Sequence, residues 1–379
     1  MELIPPRVRG AEAIRTPALV IDLDVVDVNL SATLRLLGGA ASRWRPHLKT
    51  AKLELIMRRI CERGVEQAKV ATPLELETAC RAGFKDVLLA HPVSGPKLAM
   101  VRRLADGFPD TAISALIEAA DMIADWRGAN VSLFIDLNSG MDRTGVLLDA
   151  DRVVALARGI RDAGLRFAGL HCYDGHAAGF EPSEAERRVH EGYDRVLALV
   201  ARLQDAGIAT PEVITAGTPA FPHAMSYRGF GAAGTLHRVS PGTVVYNDRH
   251  SLEQLPRDAG YRPAALVLSS VVSHPGPARF CADAGHKTVS ADAGVPTCCV
   301  LGHPEYLPRQ PSEEHLPIDV PAGAALPARG QSLWLLPSHV CPTVNNFDYA
   351  VIVSDGSVQG VAPVTARGRH PPLERVPGA

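Results

Sequence analysis

Arg45-Pro46-His47-Leu48-Lys49-Thr50 sets three cations at alternate positions. On a strand, residues two apart share a face, so Arg45, His47 and Lys49 are expected to crowd one side. Two readings follow. An exposed edge strand would leave the charges solvated, the usual fate of a charged face. A buried strand would hold Lys49 in apolar surroundings beside other cations, lowering its pKa and making it a Schiff-base nucleophile. Further on, Ser338-His339-Val340-Cys341-Pro342-Thr343 places an imidazole and a thiol around one residue. On a strand both side chains point the same way, a metal pair softest towards zinc. The alternative is a buried cysteine beside an unrelated histidine.

Three more stretches sit where strands are expected to end. Asp136-Leu137-Asn138-Ser139-Gly140-Met141-Asp142-Arg143-Thr144-Gly145 is polar and rich in turn residues, and Arg143 there is either a ligand contact or a loop cation paired with Asp136 or Asp142. Gly169-Leu170-His171-Cys172-Tyr173-Asp174-Gly175-His176 groups two histidines and a tyrosine. His171 is able to act as acid or base, although a lone buried histidine is more often tied to backbone. In Thr215-Ala216-Gly217-Thr218-Pro219, the small residues Gly217 and Thr218 let backbone N–H groups approach a phosphate. Glu313-Glu314-His315 reads equally as a solvated loop or as part of a site.

The elements that must carry these residues alternate. Thr16–Asp22 is a strand, and Asp24 is placed to cap the helix after it. The Lys49 strand precedes a helix over 51–64. Gln67–Ala71 is a strand, and Thr72, Pro73 and Glu75 form a helix start of the capping-box type. Strands follow near 86–90, 111–117, 131–136, 167–172 and 212–216, with helices between, including 149–163 and 183–206. Strands alternating with helices across short turns mean parallel βα units. No G-x-G-x-x-G opens a helix, and the units are too many for one small sheet, so a (β/α)8 TIM-type barrel is expected. From Ala264 the pattern changes to short strands, at 267–272, 287–289, 333–336 and 349–353, separated by Gly, Pro and Asp turns. The expected division is a barrel over 24–258 and a β domain over 259–379.

Bulk properties narrow the function. The chain has 379 residues, 46% hydrophobic and 21% charged, with a net charge of −2. That excludes a basic stripe for nucleic acid and a polybasic membrane patch. No apolar run approaches the roughly 18 residues of a membrane span, and Met1–Arg9 lacks the apolar core of a signal peptide. Seven scattered cysteines fit free thiols in a reducing compartment. A cytoplasmic protein is expected.

Taken together, the five motifs at Lys49, Arg143, Tyr173–His176, Gly217 and His339–Cys341 resemble the D-threonine aldolase and D-serine dehydratase family of fold-type III pyridoxal-phosphate enzymes, from Thr16 to Arg369. The resemblance implies that Lys49 binds pyridoxal 5′-phosphate (PLP), that Arg143 lies close to the pyridine nitrogen, and that Tyr173 packs on the cofactor ring. It implies Gly217, Thr218 and, after Pro241-Gly242, Tyr246 on the phosphate side. It also implies that 1–23 joins the β domain of 259–379. The family's version of the Gly217 segment is richer in glycine, and Ala216 departs from it. His339 and Cys341 stand where family members bind a divalent metal (zinc or manganese, possibly magnesium). Aldolases carry Asp at the second position, and the D-serine dehydratase type carries Cys. The implied activity is a lyase on D-β-hydroxy-α-amino acids, by retro-aldol cleavage to glycine and an aldehyde, or by dehydration of D-serine or D-3-hydroxyaspartate to a keto acid and ammonia. A homodimer is implied, with one subunit's β domain completing its partner's site. An amino-acid racemase would need no metal, and a non-enzymatic PLP-binding protein would be a bare barrel.

Overall fold

The computed structural model describes residues 4–373. It divides into two compact units, residues 34–49, 54–242 and 368–379 forming one, and residues 1–33, 50–53 and 243–367 the other. These boundaries differ from the expected 24–258, because the helix at Leu23–Leu36 straddles the division and 243–258 fall with the β strands.

In the β unit, the first strand, β1 (Ala18–Asp22), is five residues of nearly continuous apolar side chain. The helix after it is capped by Asp22, not Asp24: the Asp22 carboxylate accepts from the backbone N–H groups of Asp24 and Val25 at 2.9 and 3.1 Å.

The barrel unit holds β2 (Gln67–Val70), β3 (Asp86–Leu89), β4 (Ala112–Ile117), β5 (Val131–Asn138), the two-residue β6 (Val146–Leu147), β7 (Arg166–Cys172), β8 (Glu212–Thr215) and β9 (Leu236–Val239). Seven of them form one parallel sheet in the order β2-β3-β4-β5-β7-β8-β9. β2 and β8 are buried at every position, as expected of parallel strands covered on both faces. The helix at Pro73–Ala82 starts as its sequence dictates: the Thr72 hydroxyl accepts from the Glu75 N–H at 3.1 Å, and the Glu75 carboxylate accepts from the Ala71 N–H at 2.7 Å.

The Lys49 segment is not a regular strand. It contributes two single backbone bridges, Trp44 to Val239 and His47 to Lys69, and then turns through Leu48–Thr50. Those bridges make it the eighth stave. Arg45 N–H donates to Val239 O at 2.9 Å, and Lys69 N–H donates to Pro46 O at 2.9 Å, so the segment joins β9 to β2 and closes the sheet.

Arg45 sets the level of that stave. Its side chain has no solvent exposure. It donates to Asp86 Oδ1 at 2.9 Å, and to both Glu212 oxygens at 2.8 and 2.9 Å. Asp86 and Glu212 are the first residues of β3 and β8, which puts this cluster at the N-terminal end of the barrel. Burial disfavours the charged guanidinium, but Glu212 and Asp86 outweigh it and hold Arg45 above its ordinary pKa. Arg45 is therefore not part of a cationic patch with Lys49.

The β unit contains β1 together with β10 (Ala265–Gly276), β11 (Arg279–Ala282), β12 (Cys298–Val300), β13 (Leu307–Pro308), β14 (Leu316–Asp319), β15 (Ser332–Pro337), β16 (Tyr349–Ser354) and β17 (Ser357–Pro363). β1 lies between β10, antiparallel, and β16, parallel. The N-terminal strand is thus part of the C-terminal sheet. Phe280, Leu316, Ile318 and Leu335 form its core, with Tyr306 edge-on to Phe280 at 5.4 Å. Lys287-Thr288-Val289 is a turn and not a strand: the N–H groups of Thr288 and Val289 both donate to Gly285 O at 2.9 Å. No helix among the described residues is long and apolar enough to cross a membrane.

Arg45→Met should lower stability by about 3 kcal/mol, because it leaves Glu212 and Asp86 at the closed end of the barrel with Arg238 as their remaining cation. Arg45→Lys should recover only part of this, because an ammonium cannot serve two carboxylates with paired hydrogen bonds. Urea unfolding of the two variants against wild type checks both.

Candidate active site

The C-terminal strand ends of the barrel carry the chemistry-bearing residues, the usual location in this architecture. Lys49 follows the His47–Lys69 bridge and is half-buried. His47 is neutral: burial and then the charges of Lys49 and Lys69 lower its pKa well below the usual value.

Lys69 is a second lysine in the mouth, 2% exposed, on a strand with no other charge. Its Nζ lies 3.2 Å from His171 Nε2. His171 Nδ1 in turn donates to Asp136 Oδ1 at 2.6 Å. The three come from β2, β7 and β5. Burial, then repulsion from Lys49, brings Lys69 down to about 7, against the pull of Asp174 and Asp136. His171 is lowered by burial and by Lys69. Burial alone would raise Asp136, but the His171 hydrogen bond and charge, with Thr144 and Lys69, together hold it below its ordinary value. Both ring nitrogens of His171 are thus committed.

Tyr173 is the platform above this chain. Its ring leaves no room for a side chain at either neighbour: a Cβ on Gly175 would come within 2.5 Å of it, and one on Gly217 within 2.8 Å. The exposed Arg143 guanidinium lies 4.8 Å from the Tyr173 ring centroid, and Lys69 Nζ lies 5.8 Å from it. Arg143 is therefore stacked on an aromatic face.

Asp174 organises the next loop. It is buried, accepts from Tyr193 Oη at 2.5 Å, and accepts from the N–H groups of Ala216 and Gly217, each at 3.2 Å. Burial raises its pKa and those donors oppose the rise. The Gly217 N–H expected to face a phosphate is therefore bound to Asp174. Thr218 opens a short 3-10 turn and is buried. Ala216 has φ of 56°, the left-handed region, where the family pattern has glycine. At the end of β9, the Ser240 hydroxyl is buried and has no partner among the described residues. A Cβ on Gly242 would stand 2.4 Å from His47 O, so the backbone passes close against the Lys49 stave. An orphaned hydroxyl, glycine backbone and two lysines fit the phosphate and aldehyde of PLP.

The other residues lie in the β unit. Tyr246 is fully buried, and its hydroxyl donates to Ala51 O at 2.8 Å, which commits its proton to backbone. His339 and Cys341 do not share a strand. His339 is extended and immediately precedes the short helix Val340–Asn345, which contains Cys341. His339 Nδ1 donates to Asp292 Oδ2 at 2.6 Å, and Thr50 Oγ1 lies 3.0 Å from Cys341 Sγ. Burial lowers His339, but hydrogen bonds to Cys341 and Asp292 outweigh it and raise it to about 9. A carboxylate on Nδ1 fixes the tautomer and leaves Nε2 for a metal, the usual outer partner of a ligating histidine. The donor set, imidazole beside thiol, fits a zinc-like ion. Among the described residues no three of His, Cys, Asp or Glu converge on one point. Glu313 and Glu314 pair with Lys287 at 2.6 and 3.3 Å on the surface.

Two family models match the chain: "Alanine racemase, N-terminal domain" over residues 21–250 and "Putative serine dehydratase domain" over 264–353. A D-threonine aldolase from Arthrobacter sp is 31% identical, across 97% of both chains. The chain belongs to the D-threonine aldolase and D-serine dehydratase family. Members of that family are PLP-dependent lyases. A D-threo-3-hydroxyaspartate dehydratase from Delftia sp. is 27% identical over 91% of this chain and 96% of its own. The crystal structure of D-threonine aldolase from Filomicrobium marinum superposes with a TM-score of 0.85 at 30% identity, over 94% of this chain and 97% of that one.

Sequence reasoning missed Lys69, Asp136, Asp174, Ser240 and Asp292. Lys69 had a signal: a lysine inside a strand that pairs on both sides needs a buried partner. Asp292 had none, being 47 residues from His339. Ala216→Gly should raise stability by up to about 1 kcal/mol, since glycine takes the left-handed conformation without a Cβ penalty. Thermal unfolding of the variant measures it.

Proposed function

We propose that this chain cleaves D-configured β-hydroxy-α-amino acids by retro-aldol fission, with PLP on Lys49 and a divalent ion on His339 and Cys341. The observation that carries this reading is the mouth of the barrel, where Lys49 follows a bridge to the strand of a second, buried lysine. Beside the same stave stand the unpartnered Ser240 hydroxyl and the close-packed backbone of Gly242. When bound, PLP supplies a sink for the electron pair released at Cα. The ion supplies a Lewis acid for the substrate β-hydroxyl.

The chain's own residues do the rest. Lys49 Nζ attaches the cofactor. The Tyr173 ring, held between Gly175 and Gly217, would support the cofactor, and Arg143, stacked on that ring, would supply a positive charge beside it. Asp174 holds the Ala216–Gly217 turn rigid through two N–H bonds, and Thr218 follows on the phosphate side. Ser240 Oγ, buried and without a partner among the described residues, would be a donor for the phosphate. Asp136 keeps the proton of His171 on Nδ1, so that Nε2 is the atom that exchanges one. Asp292 holds the His339 ring for metal binding.

Dehydration to a keto acid and ammonia is the second reading. Cys341 supports it, because the dehydratase type carries Cys in the metal pair. The assembly proposed is a homodimer in the cytoplasm, the location supported by seven cysteines that form no disulfide among the described residues. Light scattering that finds a fully active monomer would reject the dimer.

With D-threonine and zinc, the expected products are glycine and acetaldehyde, and with D-serine little pyruvate. Pyruvate as the main product from D-serine would move the assignment to the dehydratase. Chelation, or His339→Ala, should abolish turnover yet leave the visible absorbance of bound cofactor in place, since Lys49 and the metal pair belong to separate units. Cys341→Asp should keep part of the activity and shift preference towards manganese, because a carboxylate favours harder ions. Elemental analysis and activity with each added metal check this, and full activity in metal-free protein would refute the metal role.

A further inference from the structure

We infer that Lys69 is a positioning residue for the lyase reaction: its amine, fixed against His171 Nε2, decides whether that nitrogen is free to exchange a proton. The inference rests on the lyase reading above. Lys69 reaches into the barrel from β2 and meets His171 on β7, which is fixed from behind by Asp136 on β5. Its Nζ lies 3.2 Å from His171 Nε2 and 5.8 Å from the centre of the Tyr173 ring.

The consequence follows from proton counting. As an ammonium, Lys69 has only donors, so it points a proton at Nε2 and occupies the lone pair. As a neutral amine it has one lone pair and two protons, so Nε2 can take a proton from the substrate, and the pair can then hold that proton on either nitrogen. Asp136, ionised and bonded to Nδ1, balances the charge when the pair gains a proton. The groups facing Lys69 set the changeover. Lys49, Arg45 and the burial itself favour the neutral amine, while Asp174 and Asp136 favour the ammonium. His47, on the neighbouring stave, and His171 are both held neutral. The balance falls at about 7. Proton exchange at His171 is therefore lost as pH falls through about 7, and gained as pH rises through it.

The test uses the holoenzyme and the cofactor-free protein together. In the holoenzyme, where Lys49 carries the cofactor in place of a free ammonium, kcat for D-threonine cleavage should still show an acidic limb that Lys69 sets, with KM little changed. Lys69→Arg keeps a permanent cation on His171. It should lower kcat at pH 8 on the order of tenfold or more, the scale of a lost acid–base group, with no recovery up to pH 9. Lys69→Met removes the charge and should flatten the limb. A purely structural lysine would change the unfolding temperature and leave the limb where it was. In the cofactor-free protein, lysine-selective 13Cε NMR, assigned with Lys69→Met, should show one lysine titrating near pH 7. The 15N spectrum should show His171 as the Nδ1–H tautomer. A Lys69→Arg enzyme with the wild-type pH profile, or a Lys69 signal titrating near 10 without cofactor, overturns the inference. If wild type cleaves no D-β-hydroxy-α-amino acid while the NMR titration holds, the lyase reading fails and the Lys69–His171 pair stands.

Discussion

Arg45 is a cation that never loses its proton and has no water around it, and the barrel depends on that fact. A buried guanidinium is tolerable only with enough acceptors in the right plane. Here Asp86 and Glu212, on strands on either side of the stave, supply them. Matching one fork to two carboxylates leaves little freedom in the height of the 44–48 segment. With only two backbone bridges to β9 and β2, this stave has few ladder bonds of its own. The ion cluster at the N-terminal end does what a longer strand would do through hydrogen bonds. Lys49, four residues on, is thereby delivered to the opposite end, where the chemistry-bearing loops are.

At that end the charge balance is reversed. Lys49, Lys69 and Arg143 crowd a space whose acidic groups are turned to other work. Asp136 is bonded to His171, and Asp174 holds two backbone N–H groups and a tyrosine hydroxyl. The surplus of positive charge suits an anionic cofactor and a carboxylate substrate. Burial first, and then repulsion within that positive cluster, drives Lys69 and His47 towards neutrality. The β unit applies a different rule to its own pair: burial lowers His339, but Cys341 and Asp292 together raise it above its ordinary value.

Much of this was legible from the chain. The alternation of buried strand runs with capped helices pointed to the parallel barrel, and Thr72, Pro73 and Glu75 marked a helix start that the structure has, with the Glu75 carboxylate on the N–H of Ala71, one residue before the cap. The alternate cations did fall on an interior stave. The failures have physical causes. The 44–48 segment carries Pro46, which cannot donate to a ladder, so a strand pattern was realised as two bridges. His339-Val340-Cys341 reads as alternation, yet Pro342 suits the first turn of a helix, and the chain turns there. Lys287–Val289 has strand-like residues but ends on Gly285 hydrogen bonds. Partners distant in sequence, such as Asp292 for His339 or Asp136 for His171, have no local pattern and emerge only when strands are laid side by side.

The most direct measurement of the central assignment, a PLP lyase whose cofactor is attached to Lys49 rather than to the neighbouring Lys69, is chemical trapping on the whole enzyme. Reduction of the PLP-loaded protein with borohydride, followed by proteolysis and mass spectrometry, should find the phosphopyridoxyl mass on the peptide containing Lys49 and on no other. The same mass on the peptide containing Lys69, or on none, would contradict the assignment.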